Sequence, residues 1–363
     1  PNVAECGSKG IGYVRGTITP CAGGWPLDEA VNRCTSWRDD GLLGAWNSAG
    51  MQAFRRAQAA GNPFDTCKRE CPAFHGGSQT AIPPISAPAS RRFFDNLVLN
   101  TTEMLAGEEF LRSRPLAISF SPTLRCPNRC RMCDIHDVRE EMGNGPEFVD
   151  MTDALYDELL DLLPTVRMLA LTGGEPLVSR RMRDVLRQFT ADRYPDGTVT
   201  VTTNGLLLRE PLIRDLSATR IRLFYVSVNA ATEGTYEHVT LTRGGLPRVL
   251  ANIRTLLDHA PHMAGRPTVL ASFVTMRSNW TELPAFVDLA RSLGVGIRLL
   301  PVERDRCGES IFTDEETLRA VLGMVREQVV PRLAGLPWSY RVEVHRLESI
   351  LAGRLDRRDF RPL

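Results

Sequence analysis

Short apolar runs of β type alternate along the chain with longer segments in which apolar residues recur about every 3.6 positions. Segments such as TDALYDELLDLL (152–163) and LPAFVDLARSL (283–293) have this helical period, which predicts amphipathic helices. Strands that alternate with helices predict parallel βα units. The predicted strands are Leu116–Phe120, Arg167–Leu171, Thr198–Thr203, Leu223–Val228, Val269–Thr275 and Gly296–Leu300.

The βα region is flanked by segments of different character. Residues 76–90 (GGSQTAIPPISAPAS) are rich in Gly, Ser and Pro, which is typical of a linker. Residues 91–112 then predict an amphipathic helix that leads into the larger unit, and residues 340–355 (YRVEVHRLESILAGRL) predict a strand followed by a helix. We therefore expect a cysteine-rich domain at 1–75, a linker at 76–92, a core at 93–301 and a C-terminal cap or substrate-binding extension at 302–363.

Composition narrows the function classes. The chain has 363 residues, of which 43% are hydrophobic and 24% charged, as in an ordinary soluble enzyme. The net charge of +1 gives no electrostatic basis for binding nucleic acid or an anionic membrane. No apolar run reaches the ~18 residues of a membrane span, and no signal segment opens the sequence. We expect a cytoplasmic location, with neither nucleic acid nor membrane as a partner.

The cysteines are clustered, which favours metal binding over scattered structural thiols. Nine cysteines without a secretory signal also argue against a disulfide framework. The early cysteines are Cys6, Cys21, Cys34, Cys67 and Cys71; the central ones are Cys126, Cys130 and Cys133; and Cys307 stands alone.

The central cysteines lie in CPNRCRMCDIH (126–136), directly after the first predicted strand. Three thiolates can bind zinc with His136 as a fourth ligand, or an iron–sulfur cluster; the spacing by itself leaves both open. Further polar motifs end the next three strands: TGGEP (172–176), TTNG (202–205) and SVN (227–229). In parallel βα folds the chemistry lies at these carboxyl ends of the strands.

The Cys-x3-Cys-x2-Cys spacing, with GGE one strand later, resembles the radical S-adenosylmethionine (SAM) superfamily over roughly residues 115–301. The resemblance implies an α/β fold, a partial (β/α)6 barrel of the radical SAM type. It implies that Cys126, Cys130 and Cys133 hold three irons of a 4Fe–4S cluster. The fourth iron is left open to the amino and carboxylate groups of SAM, whose reductive cleavage yields a 5′-deoxyadenosyl radical that abstracts hydrogen from a substrate.

The resemblance also implies roles for the strand-end residues. Gly173 and Gly174 let the backbone approach the methionyl group, and Glu175 sits beside its ammonium. Other polar residues reach the ribose or carboxylate, although they suit ordinary turn and cap positions about as well; they are Asn204, Ser227, Asn229 and Arg243. Met132 stands where the family usually has an aromatic residue, and can pack against adenine.

The early cysteines resemble a SPASM module, a cysteine-rich extension that carries an auxiliary iron–sulfur cluster in many radical enzymes. Trp46–Asn47–Ser48 at a helix start and Cys67/Cys71 before Pro72 carry this likeness. The module precedes the barrel instead of following it, and has too few cysteines for two clusters. We expect one auxiliary 4Fe–4S cluster, with structural zinc as the alternative, and Cys34 as a buried thiol or substitute ligand. The expected ligands are Cys6, Cys21, Cys67 and Cys71.

The lone Cys307 lies a few residues beyond the sixth predicted strand. A thiol can return hydrogen to a substrate radical, as in epimerases of the superfamily, although Cys307 also suits a buried thiol or a cluster ligand. We expect a redox-neutral epimerase acting on a carbohydrate-containing natural product such as an oligosaccharide antibiotic, with an external electron donor such as flavodoxin or ferredoxin. The alternatives are a peptide maturase or dehydrogenase with net two-electron oxidation, and a non-enzymatic zinc-binding protein.

Overall fold

The structure is a computed structural model that describes residues 10–14, 17–19, 37–61, 90–133, 135, 150–302 and 308–356. It divides into two compact units: the first comprises Pro1–Arg125, Arg139–Val201 and Leu216–Ile221, the second Cys126–Val138, Thr202–Asp215 and Arg222–Leu363. Several predicted residues lie outside the described residues: Cys6, Cys21, Cys34, Cys67, Cys71, His136 and Cys307. The auxiliary cluster and the hydrogen-donor role therefore stay predictions.

The first unit holds the strands that begin the sheet. They are β1 (Gly10–Val14), β2 (Thr17–Thr19), β3 (Ala117–Phe120), β4 (Met168–Leu171) and β5 (Thr198–Thr203, whose last two residues belong to the second unit). β1 pairs with β2 antiparallel and with β3 parallel, and β3, β4 and β5 follow in parallel. The β1–β2 hairpin is not among the predicted strands.

The second unit continues with β6 (Ile221–Ser227, after its first residue), β7 (Thr268–Thr275) and β8 (Gly296–Pro301), all parallel. The bounds of β3 to β8 agree with the predicted strands to within two residues. In the described part of the chain the protein thus has the predicted mixed α/β fold with a six-stranded parallel sheet, consistent with a partial (β/α)6 barrel of the radical SAM type.

The described helices of the first unit are α1 (Trp37–Trp46, kinked at Gly41), α2 (Ala49–Ala59), α3 (Arg91–Ala106), α4 (Asp153–Leu162) and α5 (Arg180–Gln188). Those of the second are α6 (Glu210–Asp215), α7 (Glu233–Thr240), α8 (Gly245–His259), α9 (Leu283–Leu293), α10 (Glu315–Met324) and α11 (Trp338–Asp356). Single turns of 3₁₀ helix lie at Leu163–Thr165, Pro176–Val178, Ala260–His262, Trp280–Glu282 and Val330–Leu333, and a π turn at Val325–Val329.

The helix ends follow local chemistry. Ser90 caps α3 by accepting a hydrogen bond from the Phe93 amide (3.3 Å), so the last residues of the predicted linker already form the first turn of this helix. α3 ends at Gly107, whose φ of 72° is a left-handed C-cap that glycine adopts without strain. Thr152 caps α4 in the same way as Ser90, through the Leu155 amide (3.3 Å).

The predicted strand within residues 340–355 is wrong, because this region lies in the single helix α11. Its buried residues are Tyr340, Val344, Leu347 and Leu351. Their spacing of four, three and four is that of one helical face, whereas strand alternation would bury every second residue.

The Trp46–Asn47–Ser48 motif fastens α1 and α2 to the segment after α3. Ser48 caps α2 as predicted, accepting from the Met51 amide (3.4 Å). The indole of buried Trp46 donates to the Ser113 carbonyl (2.8 Å). The Asn47 carboxamide bonds both backbone groups of Leu111, accepting at 2.8 Å and donating at 2.7 Å. The motif therefore has a structural explanation that holds whether or not the region is a SPASM-like module.

Candidate functional site

The three predicted cluster cysteines lie together in the second unit, as thiols and not disulfides. Cys126 and Cys130 are half-buried, and Cys133 is exposed. Burial, together with the neighbouring Cys133 and Cys126, raises the pKa of the Cys130 thiol to about 12. A thiolate at this place is desolvated and repelled by its neighbours, so it forms near neutral pH only when a metal cation compensates its charge.

The backbone of the cysteine turn is held on the end of α7. The Arg129 amide donates to the Thr240 carbonyl (3.1 Å), and the Arg131 amide donates to the Val239 carbonyl (2.9 Å). Met132 packs against an apolar cluster that includes Val239. These contacts fix the turn in place; the predicted contact of Met132 with adenine stays a prediction.

Two carboxamides approach the thiols. The Nδ2 of Asn204 donates to the Sγ of Cys126 at 3.6 Å, so the structure brings together two of the predicted residues. Asn128 hydrogen-bonds the Cys130 sulfur, which opposes the rise in the pKa of that thiol, and its Oδ1 accepts from the Thr242 hydroxyl (3.0 Å). Asn128 is absent from the predicted site, although it lies in the spacer between the first two cysteines.

The donor set fits the implied iron–sulfur cluster. Among the described residues, no group of three or more His, Cys, Asp or Glu side chains is arranged to hold one metal ion. In a four-iron cluster each thiolate binds a different iron, so the thiols do not need to converge on one point. Amide donors beside cysteine sulfurs are also among the groups that stabilise such clusters. Cys126, Cys130 and Cys133 are the residues that would hold it.

In the first unit, the GGE motif packs on the backbone that leads to the first cysteine. The Gly174 amide donates to the Thr123 carbonyl (2.9 Å), and the Glu175 amide to the Arg125 carbonyl (2.7 Å). A Cβ on Gly174 would lie 2.8 Å from the Leu124 carbonyl carbon, and real Cβ atoms do not approach backbone so closely. Glycine is therefore needed here for packing against residues 123–125, in addition to its predicted role toward SAM.

Gly173 and Glu175 are also explained by local structure. Gly173 has a φ of 108°, and a Cβ there would lie 3.0 Å from both the Ser121 Cβ and the Thr123 carbonyl oxygen. Glu175 is fully buried, and its Oε1 accepts from the Leu177 amide (3.2 Å), which caps the 3₁₀ turn Pro176–Val178. Its predicted position beside the SAM ammonium stays a prediction.

Of the remaining strand-end residues, Asn229 is the most constrained. Its φ of 58° is left-handed, a conformation that Asn tolerates better than most residues. Its Oδ1 accepts from the Val274 amide (2.9 Å). Half-buried Ser227 ends β6 in register with Ser272 of β7, while Arg243 is exposed in the loop before α8. The explanation as an ordinary turn residue therefore holds for Asn229, and the SAM contacts of all three residues stay predictions.

Asn279 is a second residue that the sequence analysis misses. Its Nδ2 donates to the carbonyls of Asn229 (2.9 Å) and Val274 (2.8 Å), and its Oδ1 accepts from the Met276 amide (2.8 Å). The side chain is fully buried and joins the ends of β6 and β7. No local motif marks this link, because Asn229 lies 50 positions away from Asn279 in the sequence.

Comparison with known families identifies the region that contains this site. The model of the family described as the Radical SAM superfamily matches residues 120–289. Residues 120–289 of this chain therefore resemble a radical SAM domain. This family implies a 4Fe–4S cluster and SAM, which agrees with the turn of three thiols. A SPASM module is not shown by the comparison.

Relatives of the radical SAM domain include GTP 3′,8-cyclases. The enzyme of Rhodopseudomonas palustris strain TIE-1 is 33% identical over 190 residues, which cover 50% of this chain and 51% of that protein. A probable GTP 3′,8-cyclase of Saccharolobus islandicus strain Y.N.15.51 is 30% identical over 157 residues, covering 43% of this chain and 48% of that protein. The chain thus spans about half the length of the curated relatives it matches.

Solved structures similar to this chain include Streptococcus suis SuiB bound to S-adenosylmethionine. The TM-score is 0.46 and the sequence identity is 14%, and the match covers 89% of this chain and 68% of the SuiB chain. The FeFe-hydrogenase maturase HydG from Carboxydothermus hydrogenoformans has a TM-score of 0.41 and 13% identity, and the match covers 59% of this chain and 51% of the HydG chain.

Among the described helices of our chain, none has the length and apolar character needed to cross a membrane.

Proposed function

We propose that the protein is a radical SAM enzyme that cleaves SAM reductively and abstracts hydrogen from a substrate C–H bond. The observation that carries this proposal is the turn of three thiols in the matched domain, with the Asn204 amide donating to the Cys126 sulfur at 3.6 Å. A buried amide donor aimed at sulfur suits a thiolate that carries negative charge.

The residues of this chain bind and orient the two cofactors. Cys126, Cys130 and Cys133 would hold the cluster, which would supply the electron that cleaves SAM to methionine and a 5′-deoxyadenosyl radical. Met132 packs against the adenine. The remaining groups bind the ammonium, carboxylate and ribose of SAM; they are Gly173, Gly174, Glu175, Asn204, Ser227, Asn229 and Arg243.

The finer proposal is a redox-neutral epimerisation of a carbohydrate-containing natural product. Cys307 donates the hydrogen atom of its S–H bond to the substrate radical from the face opposite the deoxyadenosyl group. This leaves a thiyl radical on Cys307. The radical takes up one proton from solvent and one electron from an external donor such as flavodoxin or ferredoxin, which restores the thiol. Cys6, Cys21, Cys67 and Cys71 would hold an auxiliary 4Fe–4S cluster, which would relay that electron or stabilise the fold.

Two rival functions follow from specific observations. The relatives at 30–33% identity bear the name GTP 3′,8-cyclase, so ring closure on a purine nucleotide is a second candidate for the fate of the substrate radical. The three thiols would also hold zinc if His136 joined them, which would make the protein a non-enzymatic metal-binding protein.

Metal analysis separates the zinc-binding protein from the enzymes. After anaerobic reconstitution of the full chain with iron and sulfide, we expect iron and acid-labile sulfide to bind and a Cys126→Ala variant to lose one cluster. If the chain instead binds zinc, and iron and sulfide do not replace that zinc during reconstitution, the radical SAM assignment is refuted.

Solvent deuterium separates the fates of the substrate radical. If Cys307 donates hydrogen, turnover of an oligosaccharide substrate in deuterium oxide places one deuterium at the inverted carbon, because an S–H hydrogen exchanges with water. Cys307→Ala then forms 5′-deoxyadenosine but no inverted product. Cyclisation of GTP by the wild type, or a product two hydrogens lighter, would replace epimerisation by the cyclase or the oxidative function.

A further inference from the structure

We propose that Asn204 tunes the reduction potential of the cluster by donating a hydrogen bond from its carboxamide to the Cys126 sulfur. This inference rests on the proposed function only in that Cys126 is a cluster ligand. It gives Asn204 a positioning role toward the cluster that differs from the contact with SAM implied by the family resemblance.

The hydrogen bonds of its Oδ1 and Nδ2 atoms determine the orientation of the Asn204 carboxamide. Its Oδ1 accepts a hydrogen bond from the Leu206 amide at 3.0 Å, so its Nδ2 must point the other way. That Nδ2 lies 3.6 Å from the Sγ of Cys126. A flipped amide would lose the bond to Leu206 and turn a carbonyl oxygen toward a thiolate, so the donor faces the sulfur.

The turn that carries Asn204 is held firmly. The Gly205 amide donates to the Thr203 hydroxyl (3.1 Å), and the φ of 78° at Gly205 favours glycine. From α8, the Nδ2 of Asn252 donates to the carbonyls of Gly205 (2.8 Å) and Leu206 (3.3 Å). Asn204 itself is 8% exposed. The donor is thus held in place before any cofactor binds.

The direction of the effect follows from charge. Reduction adds an electron to a cluster whose thiolate ligands are already negative, and an N–H dipole aimed at one sulfur stabilises the added charge. The effect is stronger here than in water, because the buried site has a lower dielectric constant. Loss of the donor therefore makes the cluster harder to reduce, and a carboxylate in its place does so even more.

The experiment is a redox titration of the reconstituted full chain without SAM, in which electron paramagnetic resonance monitors the reduced cluster. The signal of the SAM-binding cluster is identified as the one that Cys126→Ala abolishes. We expect the midpoint potential to shift to a more negative value in Asn204→Leu and Asn204→Ser, and further in Asn204→Asp, with iron per chain as in the wild type.

Asn252→Ala is the matched control, because it removes bonds to the same turn without touching a thiol. It should shift the midpoint potential less than Asn204→Leu does, because the Asn204 donor remains and the bond from the Gly205 amide to the Thr203 hydroxyl still supports the turn. An equal shift in Asn252→Ala, or an unshifted potential in the iron-loaded Asn204 variants, would overturn the inference. If those variants instead keep the potential and bind SAM more weakly, Asn204 is a SAM ligand only. A wild type that takes up no iron would refute the proposed function itself, and the inference with it.

Discussion

Gly174→Ala tests the packing of the GGE motif on residues 123–125, which precede the first cysteine. The added Cβ would lie 2.8 Å from the Leu124 carbonyl carbon and 2.9 Å from that of Arg125. These are backbone atoms, so they cannot swing aside as a side chain would. Overpacking of this kind costs about 1–3 kcal/mol. The forced separation also weakens the hydrogen bonds from the Gly174 and Glu175 amides, each worth about 1 kcal/mol.

We therefore expect Gly174→Ala to lower the free energy of unfolding by about 2–4 kcal/mol, measured by urea denaturation of the full chain. Because Arg125 directly precedes Cys126, iron uptake during reconstitution should fall as well. The control is Gly323→Ala in α10, where a Cβ meets nothing within 4 Å; alanine should stabilise that helix by about 0.5–1 kcal/mol. Wild-type stability and iron content in Gly174→Ala would refute the packing argument.

Three further substitutions test the contacts around the site. Glu282 accepts bonds from the Ala231 amide (2.6 Å) and the Thr232 hydroxyl (2.6 Å); burial opposes its ionisation, but the hydrogen bonds outweigh it and lower its pKa. Glu282→Gln should cost about 1–3 kcal/mol at pH 7. That cost should shrink as the pH falls through the lowered pKa of Glu282, because protonation of the wild-type carboxylate removes the same stabilisation. A pH-independent difference between the two proteins in urea denaturation would contradict this. Asn229→Ala should lower the melting temperature more than Asn229→Gly, since only glycine accepts the φ of 58° freely. An equal fall in melting temperature for the two variants would contradict backbone strain at this position. Asn47→Ala should cost about 1–3 kcal/mol in urea denaturation by leaving the Leu111 backbone groups unpaired, and an unchanged midpoint would show that this anchor is dispensable.

The parallel strands were predictable because each is a short apolar run whose burial is visible locally. The β1–β2 hairpin was missed although its own pairing is local, with Val14 paired to Thr17; its place in the sheet depends on the distant β3, with Gly10 paired to Ala117. No local pattern announces such a pairing. In α11 the alternation in YRVEV suggested a strand, but helical burial of Tyr340, Val344, Leu347 and Leu351 decided the outcome.

The same distinction between local signals and contacts distant in sequence applies to the candidate site. The three cysteines could be predicted because their spacing is short and belongs to one turn. The bond between Asn204 and Cys126 joins residues 78 positions apart, so only the fold reveals it. Asn229 looked like a ligand by its place at a strand end, yet its left-handed φ and its bond to the Val274 amide are structural demands that sequence spacing does not express.

The central claim is tested most directly by the formation of 5′-deoxyadenosine. The reconstituted full chain is mixed with SAM and dithionite without oxygen, and the products are quantified by liquid chromatography and mass spectrometry. The account predicts 5′-deoxyadenosine and methionine from the wild type and none from the Cys126→Ala/Cys130→Ala/Cys133→Ala variant, with circular dichroism showing that the variant stays folded. Equal cleavage by the wild type and the triple variant would contradict the claim that these thiols hold the cluster.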